Sequence, residues 1–245
     1  MEIEAQLLKL WKQAFGEHDG FWELFLETGY SPDRTLYLTE KNTICAALCW
    51  FDTEVRDQKW AYVYAVVTHP DFRGRGLCRK LFDQAEALWK DRGYAGVLLV
   101  PADEGLRKMY EKMGYETCTY VKEFSCEAAQ VPVALRSVEA SEFAALRRSL
   151  LPEGGAIQEG ENLRFLAAQA ELLAGEDVLL AAWREEQTLH VMELLGDPKA
   201  APGIAAALGC QRGEFRMPGE ETPWAMGKKI QDDANFPAYF GFAFD

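Results

Sequence analysis

A chain of 245 residues, 49% of them hydrophobic and 12% aromatic, can bury one large core or two small ones, and this composition excludes a disordered segment. A formal net charge of −13 weighs against nucleic-acid binding, which draws its affinity largely from basic side chains on phosphates. The excess acid favours cationic partners.

In chain order, Ile3, Leu7, Leu8, Leu10, Trp11, Ala14 and Phe15 recur at helical spacing, and Phe21 to Leu26 reads as a second short helix before the break Gly29-Tyr30-Ser31-Pro32. Met1-Glu2-Ile3-Glu4-Ala5 carries no basic stretch, and no apolar run approaches the roughly 20 residues that span a bilayer. The expected location is therefore the cytoplasm, away from membranes. Three extended runs follow, Thr35 to Thr39, Thr43 to Val55 and Lys59 to Thr68, joined by the polar turns Glu40-Lys41-Asn42 and Arg56-Asp57-Gln58.

The third run, ending Val66-Val67-Thr68-His69-Pro70, breaks into Arg73-Gly74-Arg75-Gly76-Leu77-Cys78 and then becomes a helix. Two glycines free of Cβ let the backbone curl with its N–H groups inward, and the helix start adds unpaired N–H groups and a partial positive charge. That is an anion-binding loop, set in a local basic island of Arg73, Arg75, Arg79 and Lys80 on an otherwise acidic chain. Its spacing is neither the mononucleotide P-loop nor a dinucleotide fingerprint. The helix places Leu77, Leu81, Ala85 and Leu88 on one face and stops near Arg92-Gly93, whose glycine suits a C-cap. A strand Gly96-Val97-Leu98-Leu99-Val100 follows, then Pro101-Ala102, then Leu106 to Tyr115.

Loop, helix, strand and the closing Tyr110-x-x-x-Gly114-Tyr115 resemble, in this order, the R-x-x-G-x-G/A pyrophosphate loop and the Y-x-x-x-G-[FY] signature of the GCN5-related N-acetyltransferases (GNAT). The two-domain bacterial enzymes and the larger aminoglycoside-modifying ones look most similar. Cys78 departs from the pattern, standing where the family mostly has Gly or Ala. The resemblance covers roughly residues 1–126 and implies an α/β fold with a mixed sheet, acetyl-coenzyme A as co-substrate and an amine acceptor, small molecule or peptide. It further implies that Val66, Val67, Thr68, Arg73, Gly74, Arg75, Gly76, Leu77 and Cys78 hold the cofactor and that Tyr110 serves the departing thiolate.

Glu127 to Pro132, with Ala-Ala-Gln and a proline between two patterned regions, marks an expected boundary between domains 1–126 and 127–245. Beyond it the pattern predicts helices over 141–151 and 161–173, strands over 177–184 and 188–195, a small-residue helix near 201–208, and a terminal strand Pro237 to Asp245 in which Phe240, Phe242 and Phe244 alternate. This order vaguely repeats the first half. Where a second loop would fall stands Gly196-Asp197-Pro198-Lys199-Ala200-Ala201-Pro202-Gly203, without arginines. The second half reads as a degenerate GNAT-like domain that does not hold coenzyme A, and its aromatic terminal strand is expected to pair internally or across a homodimer.

Acetyl transfer to an amine needs a phosphate anchor, N–H donors for the oxyanion and a proton source near sulfur. A tyrosine of pKa about 10 facing a thiol of about 8.5 makes full proton transfer uphill by roughly 2 kcal/mol, so a hydrogen bond to sulfur is the larger expected contribution of Tyr110. Leu106, Met109, Tyr110 and Met113 also form one helical face, so packing alone would account for the residue. An ammonium of pKa about 10.4 must first lose a proton, at a cost of about 4–5 kcal/mol near neutrality without a base. Asp52, Glu54, Tyr62, Tyr64 and His69 lie on or beside the right strands, with His69 expected in a solvent-facing loop. In some two-lobed relatives the terminal carboxylate serves, which here would be that of Asp245. The six cysteines and three histidines show no metal spacing, and the cysteines read as reduced and mostly core residues. A non-enzymatic acyl-CoA-binding or assembly module on the same fold is the alternative; a nucleotide-binding βαβ protein is disfavoured by the tyrosine motif.

Overall fold

The computed structural model describes residues 3–16 and 20–244. Helices α1 (Ile3–Phe15) and α2 (Phe21–Thr28) lead into the strands β1 (Thr35–Glu40), β2 (Thr43–Val55) and β3 (Gln58–Thr68). Both turns of this antiparallel meander place two consecutive residues at positive φ, Lys41 and Asn42 in one and Arg56 and Asp57 in the other. This conformation matches the right-handed twist of the flanking strands. Helix α3 (Leu77–Asp91) then crosses over to β4 (Gly96–Leu99), which lies parallel to β3. It buries Leu81, Phe82, Ala85 and Trp89 and ends in a glycine cap, with Gly93 at φ 77° and the Tyr94 N–H donating to the Trp89 carbonyl at 2.9 Å. Helix α4 (Glu104–Glu111) starts on the Asp103 side chain, which accepts from the Leu106 N–H at 2.7 Å.

Short β5 (Glu116–Thr117) and long β6 (Tyr120–Glu127) follow, then β7 (Arg136–Ser137), α5 (Ala140–Leu150), α6 (Glu161–Ala167), β8 (Glu171–Ala174), β9 (Val178–Glu185), β10 (Thr188–Gly196), α7 (Ala201–Ala207), β11 (Arg212–Pro218), β12 (Thr222–Pro223) and β13 (Met226–Lys229). One sheet runs β1-β2-β3-β4-β13-β5 and the other β12-β6-β11-β10-β9-β8-β7. Each holds one parallel pair bridged by a helix, β3–α3–β4 in the first and β10–α7–β11 in the second. Each middle strand carries a register shift against its hairpin partner, near Ala65 in β3 and at Met192 in β10. The second half thus repeats the plan of the first, and the fold is a tandem of GNAT-like α/β units with mixed sheets.

The units exchange strands. β6, which runs across the expected join at 126/127, pairs with β11 in the second sheet, while β13 returns from the second half to lie between β4 and β5 in the first. No cut at that join therefore separates the two sheets. Two expectations about single elements are corrected. The helix predicted over 161–173 stops at Ala167, because Leu172 and Ala174 pair as β8 and alternate into the core. Residues 237–244, buried except for Ala238, form no strand: their backbone bonds go to the loop at Gly154 and Ala156 and to side chains. One buried cluster runs through both halves, including Trp11, Phe25 and Phe51 of the first and Phe165, Leu179, Phe240 and Phe244 of the second.

Candidate functional site

Arg73 to Gly76 form an exposed turn at the start of α3, with Gly74 at φ 75° and Gly76 at φ 71°. A Cβ built on either would meet nothing within 4 Å. The glycines therefore serve conformation, since a left-handed residue with a side chain costs roughly 1–2 kcal/mol. The first turn of α3 carries no acidic side chain, and the Gly76 cap contributes no side-chain acceptor. Its leading N–H groups are thus left for an external anion. Two guanidiniums beside it make long hydrogen bonds: Arg73 Nε donates to the Thr68 carbonyl at 3.3 Å, and Arg75, packed over the Phe72 ring, reaches Glu40 at 3.3 Å and the Asp71 carbonyl at 3.2 Å, whereas Arg79 donates to the Lys112 carbonyl at 2.8 Å. Exposed pairs of this kind contribute at most about 1 kcal/mol, so turning them toward a phosphate is cheap.

Behind the loop the sheet opens. β3 and β4 pair at Trp60↔Gly96, Ala61↔Val97 and Tyr62↔Leu98, after which β3 runs on to Thr68 paired with β2 and without β4. At the opening β3 bulges: Ala47 faces Val67 and Cys49 faces Tyr64, so Ala65 and Val66 together oppose Leu48, and Ala65 takes φ 52°. The extra residue resets the alternation. Tyr62, Tyr64, Ala65 and Val67 pack toward the α1 side of the sheet, and Val63 and Val66 toward α3 and α4. A cavity of about 550 Å³ passes through this opening. On one side it meets Leu106 and Tyr110 of α4, and on the other Phe15, Trp22 and Phe244. Such a volume lies within the range of small-molecule sites.

Tyr110 stands at the α4 side, 5% exposed, between the rings of Phe82 and Tyr115 at centroid distances of 5.7 and 5.9 Å. Burial pushes its hydroxyl well above the ordinary tyrosine range, with a smaller contribution from nearby Cys78. It is at once a core residue and part of the cavity wall. A proton held this firmly is offered as a hydrogen bond rather than given away. Cys78, half-buried at the loop, is pushed up to about 11 by burial and stays a thiol near neutral pH.

Residues 2–118 match the sequence profile of the acetyltransferase (GNAT) domain. The first half of the chain is a GNAT domain. Among solved structures, GCN5-related N-acetyltransferases of Anabaena variabilis (TM-score 0.73, 15% identity, 93% of this chain and 70% of that one) and Kribbella flavida (0.71, 19%, 92% and 68%) share its fold. That of Sphaerobacter thermophilus superposes over nearly both whole lengths, 97% and 96%, at TM-score 0.56 and 14% identity. No curated protein matches the sequence at a significant level.

In this GNAT domain the structure brings Val66, Leu77, Cys78 and Tyr110 into one packed cluster, while Val67 and Thr68 lead along β3 toward the exposed turn Arg73 to Gly76. It does not bring the base candidates together. Glu54 lies toward the opposite end of β2, its backbone paired with Ile157. Asp52 accepts from the Tyr94 hydroxyl at 2.5 Å and pairs with Lys59. His69 is not solvent-facing: its side chain is 18% exposed, and Nδ1 accepts from the Asp71 N–H, capping the turn Pro70–Phe72 away from the cavity. Tyr62 and Tyr64 do line the cavity, whereas Asp245 lies outside the described residues. Sequence reasoning missed Ala65, Phe15 and Trp22. No residue type announces a positive φ at an alanine, and the aromatics read as helix core. Among the described residues no three His, Cys, Asp or Glu side chains converge as a metal would need, and no helix is long and apolar enough to cross a membrane.

Proposed function

We propose that this protein is an N-acetyltransferase that passes an acetyl group from acetyl-coenzyme A to a primary amine by direct attack in a ternary complex. The observation that carries the reading is the cavity at the opening between β3 and β4, whose wall residues Val66 and Tyr110 pack in one cluster with Leu77 and Cys78 at the start of α3. The pyrophosphate would sit on the α3 N-terminus and on Gly74 and Gly76, with Arg73, Arg75, Arg79 and Lys80 around it. The thioester arm would run between the end of β4 and Leu106 of α4. Backbone N–H groups of β3 near Val66, left without a β4 partner, would face the developing oxyanion.

The amine lone pair forms the new C–N bond, the C–S bond breaks, and the sulfur leaves with the electron pair. Tyr110 donates a hydrogen bond to that sulfur. The proton lost by the attacking nitrogen balances the one the thiolate gains. No cysteine lines the cavity among the described residues, and the thiol of Cys78 is held protonated by burial, so the arrangement offers no thiolate for an acyl-enzyme.

Acetyl-CoA-dependent thiol release across a panel of polyamines, aminoglycosides, arylalkylamines and peptides tests the reading, with the N-acetyl product identified by mass. The account predicts release with at least one acceptor class. Tight acetyl-CoA binding with no release on any acceptor would make the protein a binding module instead.

A further inference from the structure

We propose that the acceptor is a primary amine carried on a planar apolar body, selected by a wall of Phe15, Phe21, Trp22, Tyr62, Tyr64 and Phe244. The inference rests on reading the cavity as the transfer site. All six rings lie on the α1 and α2 side of the sheet, across the opening from Tyr110. They already stack on one another: Phe15 on Trp22 at 5.4 Å, Phe21 edge-on to Trp22 at 5.0 Å and Tyr64 edge-on to Phe244 at 5.8 Å. A further flat ring would extend this packing in the offset and edge-to-face geometries that aromatic groups prefer. Phe244 is brought to the wall by the second half: its N–H donates to the Tyr62 hydroxyl at 3.1 Å, and the segment before it is clamped by Gln158, whose side chain accepts from the Phe242 N–H and donates to the Phe242 carbonyl.

No Asp, Glu, Lys, Arg or His lines the cavity among the described residues. Against the described residues of this wall a polycation would therefore shed its hydration with no carboxylate to replace it. A single ammonium on an apolar body meets the opposite situation. The chain's charge of −13 attracts it from solution, its body fills the aromatic wall, and desolvation lowers its pKa toward the neutral form that attacks. The wall thereby favours the deprotonated amine.

The test compares kcat/KM for 2-phenylethylamine and spermidine on the intact chain at saturating acetyl-CoA, alongside Phe15→Ala and Phe244→Ala. Phe15 is 42% exposed, so its variant keeps the comparison interpretable if loss of buried Phe244 impairs folding. The proposal predicts at least a tenfold preference for 2-phenylethylamine over spermidine, and a several-fold rise in its KM in Phe15→Ala with kcat and the acetyl-CoA KM little changed. Equal or better turnover of spermidine, or an unmoved KM, overturns it. If no amine turns over, the transferase reading fails separately, and calorimetry of 2-phenylethylamine on the CoA-saturated chain decides the wall: binding weakened by Phe15→Ala supports it, and no binding, or binding indifferent to that change, overturns it.

Discussion

At Tyr110 two demands meet in one residue: the ring fills the space between Phe82 and Tyr115, while the same side chain belongs to the cavity wall. Tyr110→Phe keeps the ring and removes the donor, so acetyl-CoA affinity should persist while turnover drops by about 10²-fold. Steady-state rates with a binding titration check this; unchanged turnover would leave the residue with packing alone. Cys78 is the converse case. At pH 8 a thiol of pKa about 11 is only about 0.1% thiolate, so Cys78→Ala should leave turnover within about twofold. Tyr110 was legible in the sequence because its motif has fixed spacing. Ala65 was not, since its left-handed φ is imposed by the two-against-one pairing with Leu48, a tertiary constraint that leaves no trace in residue type.

Among the elements, the meander and the β3–α3–β4 crossover were readable from alternation, turn residues and the glycine loop. β13 was not, because Met226–Lys229 is only four residues and gains its place from pairing with β4 and β5, over a hundred residues away in sequence. That placement has a cost for truncation. A fragment of residues 1–126 would expose the facing edges of β4 and β5 and lose the ion pair of Lys228 with Glu86 at 2.7 Å; unpaired edges of this kind promote aggregation. The fragment should show no cooperative melt and should aggregate on expression. A monomeric fragment melting like the intact chain would refute the strand exchange. Helix α6 taught the same lesson in reverse: apolar periodicity continued past Ala167, but pairing with β9 claimed Glu171–Ala174 as a strand.

For the whole molecule, the shared core ties the halves together. Arg147 and Glu193 form a pair only 4% and 1% exposed, and Arg147 also donates to the Ala156 carbonyl and packs over the Phe242 ring at 4.2 Å. Removing one partner of such a pair typically costs about 3–5 kcal/mol. Glu193→Ala should therefore lower the denaturant midpoint steeply, and with it the order of the segment that carries Phe244. Alkaline pH acts on the same core. Burial pushes Cys49 and Cys118 up to about 12 and Cys78 to about 11. A folded-state pKa raised above the unfolded value gives stability that is complete below the ordinary thiol range and lost as pH rises through the folded value. Denaturant stability should thus be flat between pH 7 and 8 and fall above about pH 9, by up to about 1.4 kcal/mol per pH unit for each buried thiol. A stability still flat at pH 10 would contradict this.

The central claim is that the Arg73 to Cys78 loop anchors acetyl-coenzyme A for the cavity behind it, and ligand-dependent thermal stability tests it most directly. At 100-fold over its Kd the ligand should add about 2.7 kcal/mol, raising Tm by several degrees where ATP and NAD raise it little. The Arg73→Glu, Arg75→Glu double variant should fold with an unchanged Tm of its own and lose that shift. A full shift in the double variant, or an equal shift with ATP and NAD, would contradict the account.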